Sequence, residues 1–530
     1  MGVSNLEYYN DRYKGSLSDT TCEILEQLIE LGDATGCVPD LSHIIYQLHD
    51  SDVMRMIDTY DESGIIISDF ERPLGTLEDY QTIGVAFMYY SGSCILGDSV
   101  GMGKTVETAG LCNLLSLEYA KMNKQHRYLF LTEKKPVTQV RSKLIKFTGE
   151  YVHLLRDSTQ KSIDYLEYVA PYNSLLENSL VGTHNLIKAS GFISWMNMYT
   201  QHIGEPPFDT LFVDESSILG GTNTDFVKNF KVIKKFFKRI YFLNATPIDG
   251  SLRVFYNQLD LLDSKFLPTR TNFNKEYVVM NYTGMFPKPT NRYKNKEQFK
   301  KCIRYRYYAS TRKSNGAVMD DCSGDILVSP LSKAQRKLLK ETQLNSMVYD
   351  CPSYLDPSIP FDDDNVPKLA SLNELLKGEC ADADTIIIYV HFREAQYHLS
   401  EWLTAKGVSN RILNGATKLE DSNKIIDGFK NSEYRVLITN IQKGLDFGNC
   451  DYCIFYGFDA NPAKMVQFEG RMTRSFDIIG KHVYILCSLG GEYNNLKKAV
   501  ADKANAMTDM STTDYSVVLS IFERFLRKKG

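Results

Sequence analysis

From about residue 72 to residue 250, short apolar runs alternate with longer segments of helical period. Ile95-Leu96 and the runs at 128–131, 179–181, 210–213 and 240–243 are strand-sized, with few of the alternating polar positions that mark a half-exposed strand. Strands buried on both faces are expected where helices cover both sides of a sheet, so the pattern predicts a parallel, doubly wound α/β domain. Alternation stops near residue 251, where the chain turns basic and helical in pattern. A Pro- and Asp-rich stretch at 350–364 then reads as an exposed loop. Apolar runs resume at 385–390, 410–413, 434–439, 452–456 and 482–487, predicting a second α/β domain. Ahead of both, residues 1–70 carry helical period, as in Leu25, Leu28 and Ile29, and no recognisable chemistry.

Composition adds bounds. A chain of 530 residues is too long for one core, which agrees with two or three domains. With 61 basic and 65 acidic residues the net charge is only −4, so a nucleic-acid surface would have to be a local patch. The first residues lack an apolar leader core, so no secretory signal is expected, and Leu6 argues against myristoylation at Gly2. The longest apolar runs are too short to cross a bilayer, so no membrane partner is expected. Eleven cysteines are scattered without a framework, and Cys450 and Cys453 form a lone C-x-x-C in an apolar run, read as structural rather than zinc-binding. This usage suits a reducing, intracellular setting.

The densest chemistry lies in Asp98-Ser99-Val100-Gly101-Met102-Gly103-Lys104-Thr105, between an apolar strand and a helix-like run. Gly101 and Gly103 free backbone N–H groups to turn toward a phosphate chain, with Met102 between them, and the helix N-terminus adds its dipole. This is a P-loop, in which Lys104 reaches the β/γ-phosphates and the Thr105 hydroxyl holds Mg²⁺. Asp98 stands where the pattern usually has its first Gly. Another apolar run ends at Asp214-Glu215; one carboxylate can hold Mg²⁺ and its neighbour can activate water. Ala245-Thr246-Pro247 closes a third strand and suits a loop that senses the γ-phosphate. In the second domain Arg471 and Arg474 are three apart, on one face if helical, and could act as arginine fingers.

These segments, in this order, resemble the motifs of superfamily-2 helicase-type motors, most closely the Swi/Snf-type DNA translocases. The resemblance runs from about residue 73 to about 490. It implies two tandem RecA-like lobes with helical insertions, ATP and Mg²⁺ as cofactors, and a nucleotide bound between the lobes. The segment at 77–85 resembles the Q-motif and implies that Gln81 reads adenine. Asp98–Thr105 resembles motif I, in which an acidic first residue is common, so Asp98 is expected there. Asp214-Glu215 resembles motif II, Ala245-Thr246-Pro247 motif III, the segment at 386–392 motif IV, Gly444-Leu445-Asp446-Phe447 motif V, and 467–474 motif VI. The implied roles are catalytic for Lys104, Glu215, Arg471 and Arg474, nucleotide-binding for Gln81, Gly101, Met102, Gly103, Lys104, Thr105, Gly444 and Asp446, and metal-binding for Thr105 and Asp214. Departures are Ser216-Ser217 after motif II, a single Gly444 with Asp446 in motif V, and Ser475-Phe476-Asp477 after Arg474. The organisation expected is a helical accessory region at 1–70, a first lobe at 71–262, a basic helical insertion and connection at 263–325, the opening of the second lobe at 326–380, its body at 381–495 and a helical tail at 496–530.

DNA is the expected partner. Residues 288–313 hold ten basic residues, including Lys300, Arg304 and Arg306, against one acid, Glu297, with Tyr293, Tyr305, Tyr307 and Tyr308 interleaved. Cations neutralise phosphates and aromatics stack on bases; a solvated helix face with a tyrosine core behind it is the other reading. By resemblance, strand-tracking contacts would come from Thr132, Thr183, Phe392 and Thr439, at strand ends. The function expected is an ATP-dependent DNA helicase or translocase remodelling or unwinding forked or branched DNA in replication, recombination or repair, where other replication or repair proteins would be further partners. A duplex translocase that displaces bound proteins without unwinding, and a nucleotide-gated DNA clamp, stay open beside it.

Overall fold

The apolar runs form two parallel sheets. The computed structural model describes residues 17–33, 77–134, 136–155, 159–169, 176–221, 224–247, 252–282, 287–342, 345–441, 447–448, 450–457, 462–473, 477–501 and 516–527. They divide into two compact units, one ending at Asn315 and the other beginning at Gly316.

In the first unit the strands are β1 (Ser93–Leu96), β2 (Tyr128–Thr132), β3 (Val152–Leu154), β4 (Ser179–Thr183), β5 (Thr210–Asp214), β6 (Arg239–Leu243), β7 (Val278–Asn281), β8 (Lys288–Tyr293) and β9 (Tyr307–Tyr308). Seven of them form a sheet in the order β3-β4-β2-β5-β6-β1-β9, with every pairing parallel. β2 is buried along its whole length, as its unbroken apolar run predicts. Aromatic rings cross the sheet, Phe130 to Phe212 at 5.9 Å and Phe212 to Tyr241 at 5.3 Å between centroids. Within residues 1–70 the described part holds one helix, Asp19–Asp33, which packs against the helix Asp79–Ser91.

The basic segment differs from its sequence reading. It contains the helix Lys296–Ile303, but β7 and β8 form an antiparallel hairpin and β9 joins the edge of the main sheet beside β1. Its tyrosines face inward. Tyr305 and Tyr308 are buried, Tyr308 stacks on Phe87 at 5.3 Å, and the nearly buried Tyr293 hydroxyl accepts the Leu252 N–H. They are therefore core residues, not base-stacking platforms.

Arg306 is buried as well. Its guanidinium donates to the carbonyls of Ser91 (2.6 Å) and Ser93 (3.0 Å) and to the Asp263 carboxylate (3.0 Å). Arg306→Ala should lower the stability of the first unit by about 3–5 kcal/mol in urea unfolding, because it strands a mostly buried carboxylate. Unchanged stability with weakened DNA binding would restore the phosphate-contact reading.

The second unit contains β10 (Met319–Asp320), β11 (Ser323–Ser329), β12 (Ile386–Tyr389), β13 (Asn410–Leu413), β14 (Val436–Thr439), β15 (Tyr452–Tyr456), β16 (Ile478–Ile479) and β17 (His482–Ser488). Six form a parallel sheet, β11-β17-β15-β12-β14-β13, and β10 pairs with β16. Cys450 and Cys453 are buried in its core. The helix Val517–Arg527 packs against β11. Among the described residues, no helix is long and apolar enough to cross a membrane.

Candidate functional site

In open parallel sheets, loops at the carboxyl ends of strands collect the chemistry. The chain leaves β1 through Gly97 and Asp98 and enters the helix Lys104–Lys121 at Gly103. Gly101 (φ 88°) and Gly103 (φ 97°) both lie in left-handed backbone. A Cβ at Gly103 would also sit 2.3 Å from the Gln81 side-chain nitrogen, so any larger residue would have to displace that amide. That amide donates to the Met102 carbonyl (3.0 Å), as does the Tyr80 hydroxyl (2.9 Å), while the Gln81 side-chain oxygen accepts the Glu78 N–H (3.1 Å). The helix Asp79–Ser91 thus braces the loop from behind.

Asp98 has a structural role that the sequence did not reveal. It is fully buried and its carboxylate accepts the Ser310 N–H at 2.7 Å. Backbone bonds from Gly97 to Tyr308 and from Ser99 to Ser310 continue the pairing, so Asp98 fastens the loop to the segment after β9. A glycine could not do this.

Lys104 Nζ folds over the loop and donates to the carbonyls of Asp98 (2.5 Å) and Ser99 (3.2 Å). Burial pushes its pKa down, while the charges of Asp98, Glu215, Asp214 and Glu107 pull it back up. Thr105 is half-buried at the first turn of the helix. The lysine and the two motif II carboxylates therefore share one electrostatic neighbourhood.

Asp214 ends β5, and the chain turns at once through Glu215 in left-handed backbone (φ 50°). The Asp214 carboxylate accepts the Thr132 hydroxyl (2.9 Å) and the Glu215 N–H (3.0 Å), and its carbonyl bonds the His184 ring (2.7 Å). Burial and the Glu215 charge raise its pKa to about 6. Next in the chain, the Ser216 hydroxyl donates to Gln258, whose amide nitrogen donates to the Pro247 carbonyl (2.7 and 2.8 Å). Ser216 thus connects the end of β5, through Gln258, to the Ala245-Thr246-Pro247 loop.

A divalent ion would suit this acidic end of β5, held by Asp214 and the Thr105 hydroxyl. Thr132→Val keeps the shape but removes the bond that orients Asp214. It should raise the Mg²⁺ concentration needed for half-maximal ATP hydrolysis by roughly 10- to 100-fold, read from a Mg²⁺ titration, and an unchanged titration would detach Thr132 from the metal.

In the second unit, Phe392 precedes the helix Arg393–Ala405 after β12, and Thr439 ends β14. Arg471 is buried in the turn after the helix Pro462–Glu469, where its carbonyl accepts the Phe447 N–H at 2.8 Å. Gly444, Asp446 and Arg474 lie outside the described residues.

Comparison with known proteins shows the family. A family model described as SNF2-related domain matches residues 80–401, and one described as helicase conserved C-terminal domain matches 367–475. The chain belongs to the SNF2-related family. An uncharacterized ATP-dependent helicase, YqhH of Bacillus subtilis, is 22% identical over 457 residues, covering 78% of this chain and 75% of that one. Helicase SWR1 of Kluyveromyces lactis is 30% identical over 164 residues, 29% of this chain but only 10% of the larger protein. Among solved structures, the Sulfolobus solfataricus SWI2/SNF2 ATPase core in complex with dsDNA is similar at 16% identity and a TM-score of 0.38, over 86% of this chain and 96% of that chain.

For this SNF2-related chain, several residues expected to touch DNA have other partners. Arg306 is buried as described. Thr132 is fully buried against Asp214, and Thr439 is fully buried with its hydroxyl accepting the Ile441 N–H at 3.0 Å. Arg304 is half-buried and donates to Glu26 and the Tyr305 hydroxyl. Lys300 is partly exposed on its helix, paired with Glu297 at 3.1 Å. Thr183 and Phe392 are partly exposed. Other cations of the segment, Lys288, Arg292, Lys294, Lys301 and Lys313, are exposed.

A buried ionic group lies at the carboxyl end of the second sheet. Lys368 Nζ bonds the Asp350 carboxylate at 2.5 Å and the Glu492 carboxylate at 3.1 Å. Burial opposes its charge, but the two carboxylates hold the Lys368 pKa above its usual value. Two acids share one base, so Asp350, lifted by burial and by Glu492 against the pull of Lys368, has its pKa raised to about 7. A carboxyl whose pKa is raised on folding stabilises the fold below its unfolded value, and this contribution is lost as pH rises through the folded value. The second unit should therefore lose stability between pH 4 and about 7, and Asp350→Asn should flatten that slope in urea unfolding at several pH values. An unaltered slope would assign it to another group.

Proposed function

We propose that this chain is a DNA-dependent ATPase that moves on DNA, and that its output is the remodelling or unwinding of forked or branched DNA. The observation that carries the ATPase part is that Lys104 and Thr105 follow β1 while Asp214 and Glu215 stand at the carboxyl end of β5, in the same sheet with only β6 between, and the lysine lies in the field of both acids. In this reading Gly101, Met102 and Gly103 present backbone N–H groups to the phosphates, Lys104 leaves its carbonyl partners for the β/γ-phosphates, and Gln81 is close enough to the loop to sense the base. Thr105 and Asp214 hold Mg²⁺, which neutralises phosphate charge. Glu215 takes the proton of the attacking water, and Arg471 and Arg474 add positive charge to the transferring phosphoryl group.

DNA as the track is supported by family membership and by the exposed cations around the β7–β8 hairpin and the helix after it. Contacts of this type neutralise phosphates and do not read sequence.

Steady-state ATP hydrolysis with single strand, duplex, fork and four-way junction, alongside strand displacement on the same substrates, tests the reading. The proposal expects the strongest stimulation by fork or junction, with strand displacement. Duplex stimulation without displacement would favour the translocase that strips bound proteins. DNA affinity that depends on ATP without turnover would favour the clamp.

A further inference from the structure

The turn that carries Arg471 is tied to the C-terminal helix by one side chain, Glu469. This residue closes the helix Pro462–Glu469 and is 2% exposed. Its carboxylate accepts the Val517 N–H (2.5 Å), the Val518 N–H (3.2 Å) and the Ser516 hydroxyl (2.5 Å), and Ser516 in turn accepts the Leu519 N–H at 3.1 Å. The first amides of the helix Val517–Arg527, which have no partners within their own helix, are thus satisfied by a carboxylate 48 residues away at Val517. An anion there also complements the helix dipole.

The backbone of the same residue organises the arginine turn. The Glu469 carbonyl accepts the N–H of Met472 (2.8 Å) and of Thr473 (3.3 Å) and the Thr473 hydroxyl (3.4 Å), and Arg471 N–H bonds the Phe468 carbonyl at 2.9 Å. Met472 is packed in the same core as Ile521 and Phe522 of the C-terminal helix. At its far side that helix is fixed to β11, where the Arg524 guanidinium donates to the Gly324 carbonyl (2.8 Å) and Ile521 packs so close to Gly324 that a Cβ would lie 2.7 Å from it. The arginine turn, the C-terminal helix and β11 therefore form one continuous brace.

We propose that Glu469 is a positioning residue for ATP hydrolysis, locking the C-terminal helix to the turn so that Arg471 is held in place before the nucleotide arrives. This rests on the reading of Arg471 as a residue that stabilises the transferring phosphoryl group. An arginine that meets the phosphoryl group mainly in the transition state contributes to kcat more than to ground-state binding, so loosening the turn that holds it should appear in kcat more than in KM.

The test is steady-state ATP hydrolysis of the full chain in the presence of duplex DNA, with active sites counted by titration with a fluorescent ADP. Glu469→Ala should lower kcat roughly 10- to 100-fold and change KM for ATP less than about threefold. Glu469→Gln keeps one acceptor oxygen and should recover part of the loss. Ser516→Ala removes one of the three bonds and should show a smaller fall, again in kcat alone; it decides the matter if Glu469→Ala does not fold. The double variant Glu469→Ala/Arg471→Ala should be no slower than Arg471→Ala alone. Losses that multiply in the double variant, or a folded Glu469→Ala with wild-type kcat, overturn the positioning role. Full activity in Arg471→Ala would instead sink the ATPase reading of the arginine itself.

Discussion

Lys104→Ala is expected to abolish ATP hydrolysis, with a fall in turnover of about 10²- to 10³-fold or more. The ammonium is the one side-chain cation placed on the P-loop itself, and no other group in the loop can follow the β/γ-phosphates as they separate. The loss should be confined to chemistry and nucleotide binding. Among the described residues, Nζ bonds only the carbonyls of Asp98 and Ser99 on its own loop, so its removal leaves the sheet and the Asp98–Ser310 anchor intact. Thermal unfolding and DNA affinity should therefore stay close to wild type. DNA-stimulated phosphate release persisting in Lys104→Ala would refute the P-loop assignment.

Glu215→Gln should be nearly as damaging but in a different way. Gln matches Glu in size, so the left-handed backbone at this position and the N–H bond to Asp214 are kept. What is lost is the proton acceptor, and general-base losses run at about 10²- to 10⁴-fold. ATP affinity should be retained, giving a variant that binds ATP and holds it. Equal losses in affinity and turnover would mean that Glu215 serves the fold or the metal and not the water.

Much of the architecture was legible because both sheets are buried on both faces. Runs such as Tyr128–Thr132 and Ile386–Tyr389 are apolar without interruption and leave little room for another reading. The elements missed are those with weaker patterns. β9 is two tyrosines inside a basic stretch, and β3 is three residues long. β11, at the sheet edge, is half-exposed and holds an Asp.

Side-chain roles at the strand ends were harder to read, because local sequence does not contain the partner. Arg306 looks like a phosphate contact until Asp263 is seen beside it, and the Thr132 hydroxyl looks available until Asp214, 82 positions on, takes it. Both cases obey the same rule: a buried polar group finds a partner, and that partner can lie anywhere in the chain. Asp98 shows the converse. Its resemblance to family motifs made it expected, but only its bond to Ser310 gives the physical reason for a carboxylate there. Glu469, unremarked in the sequence, is found by asking where the first amides of the last helix go.

ATP hydrolysis by this chain should respond to DNA. Its most direct test is the steady-state rate of phosphate release by the intact chain, measured with and without duplex DNA at saturating Mg·ATP, beside Lys104→Ala as the blank. A low rate alone, a rise of about tenfold or more on adding DNA, and a flat line for the variant are expected. A rate indifferent to DNA, or one raised by RNA and not by DNA, would contradict it.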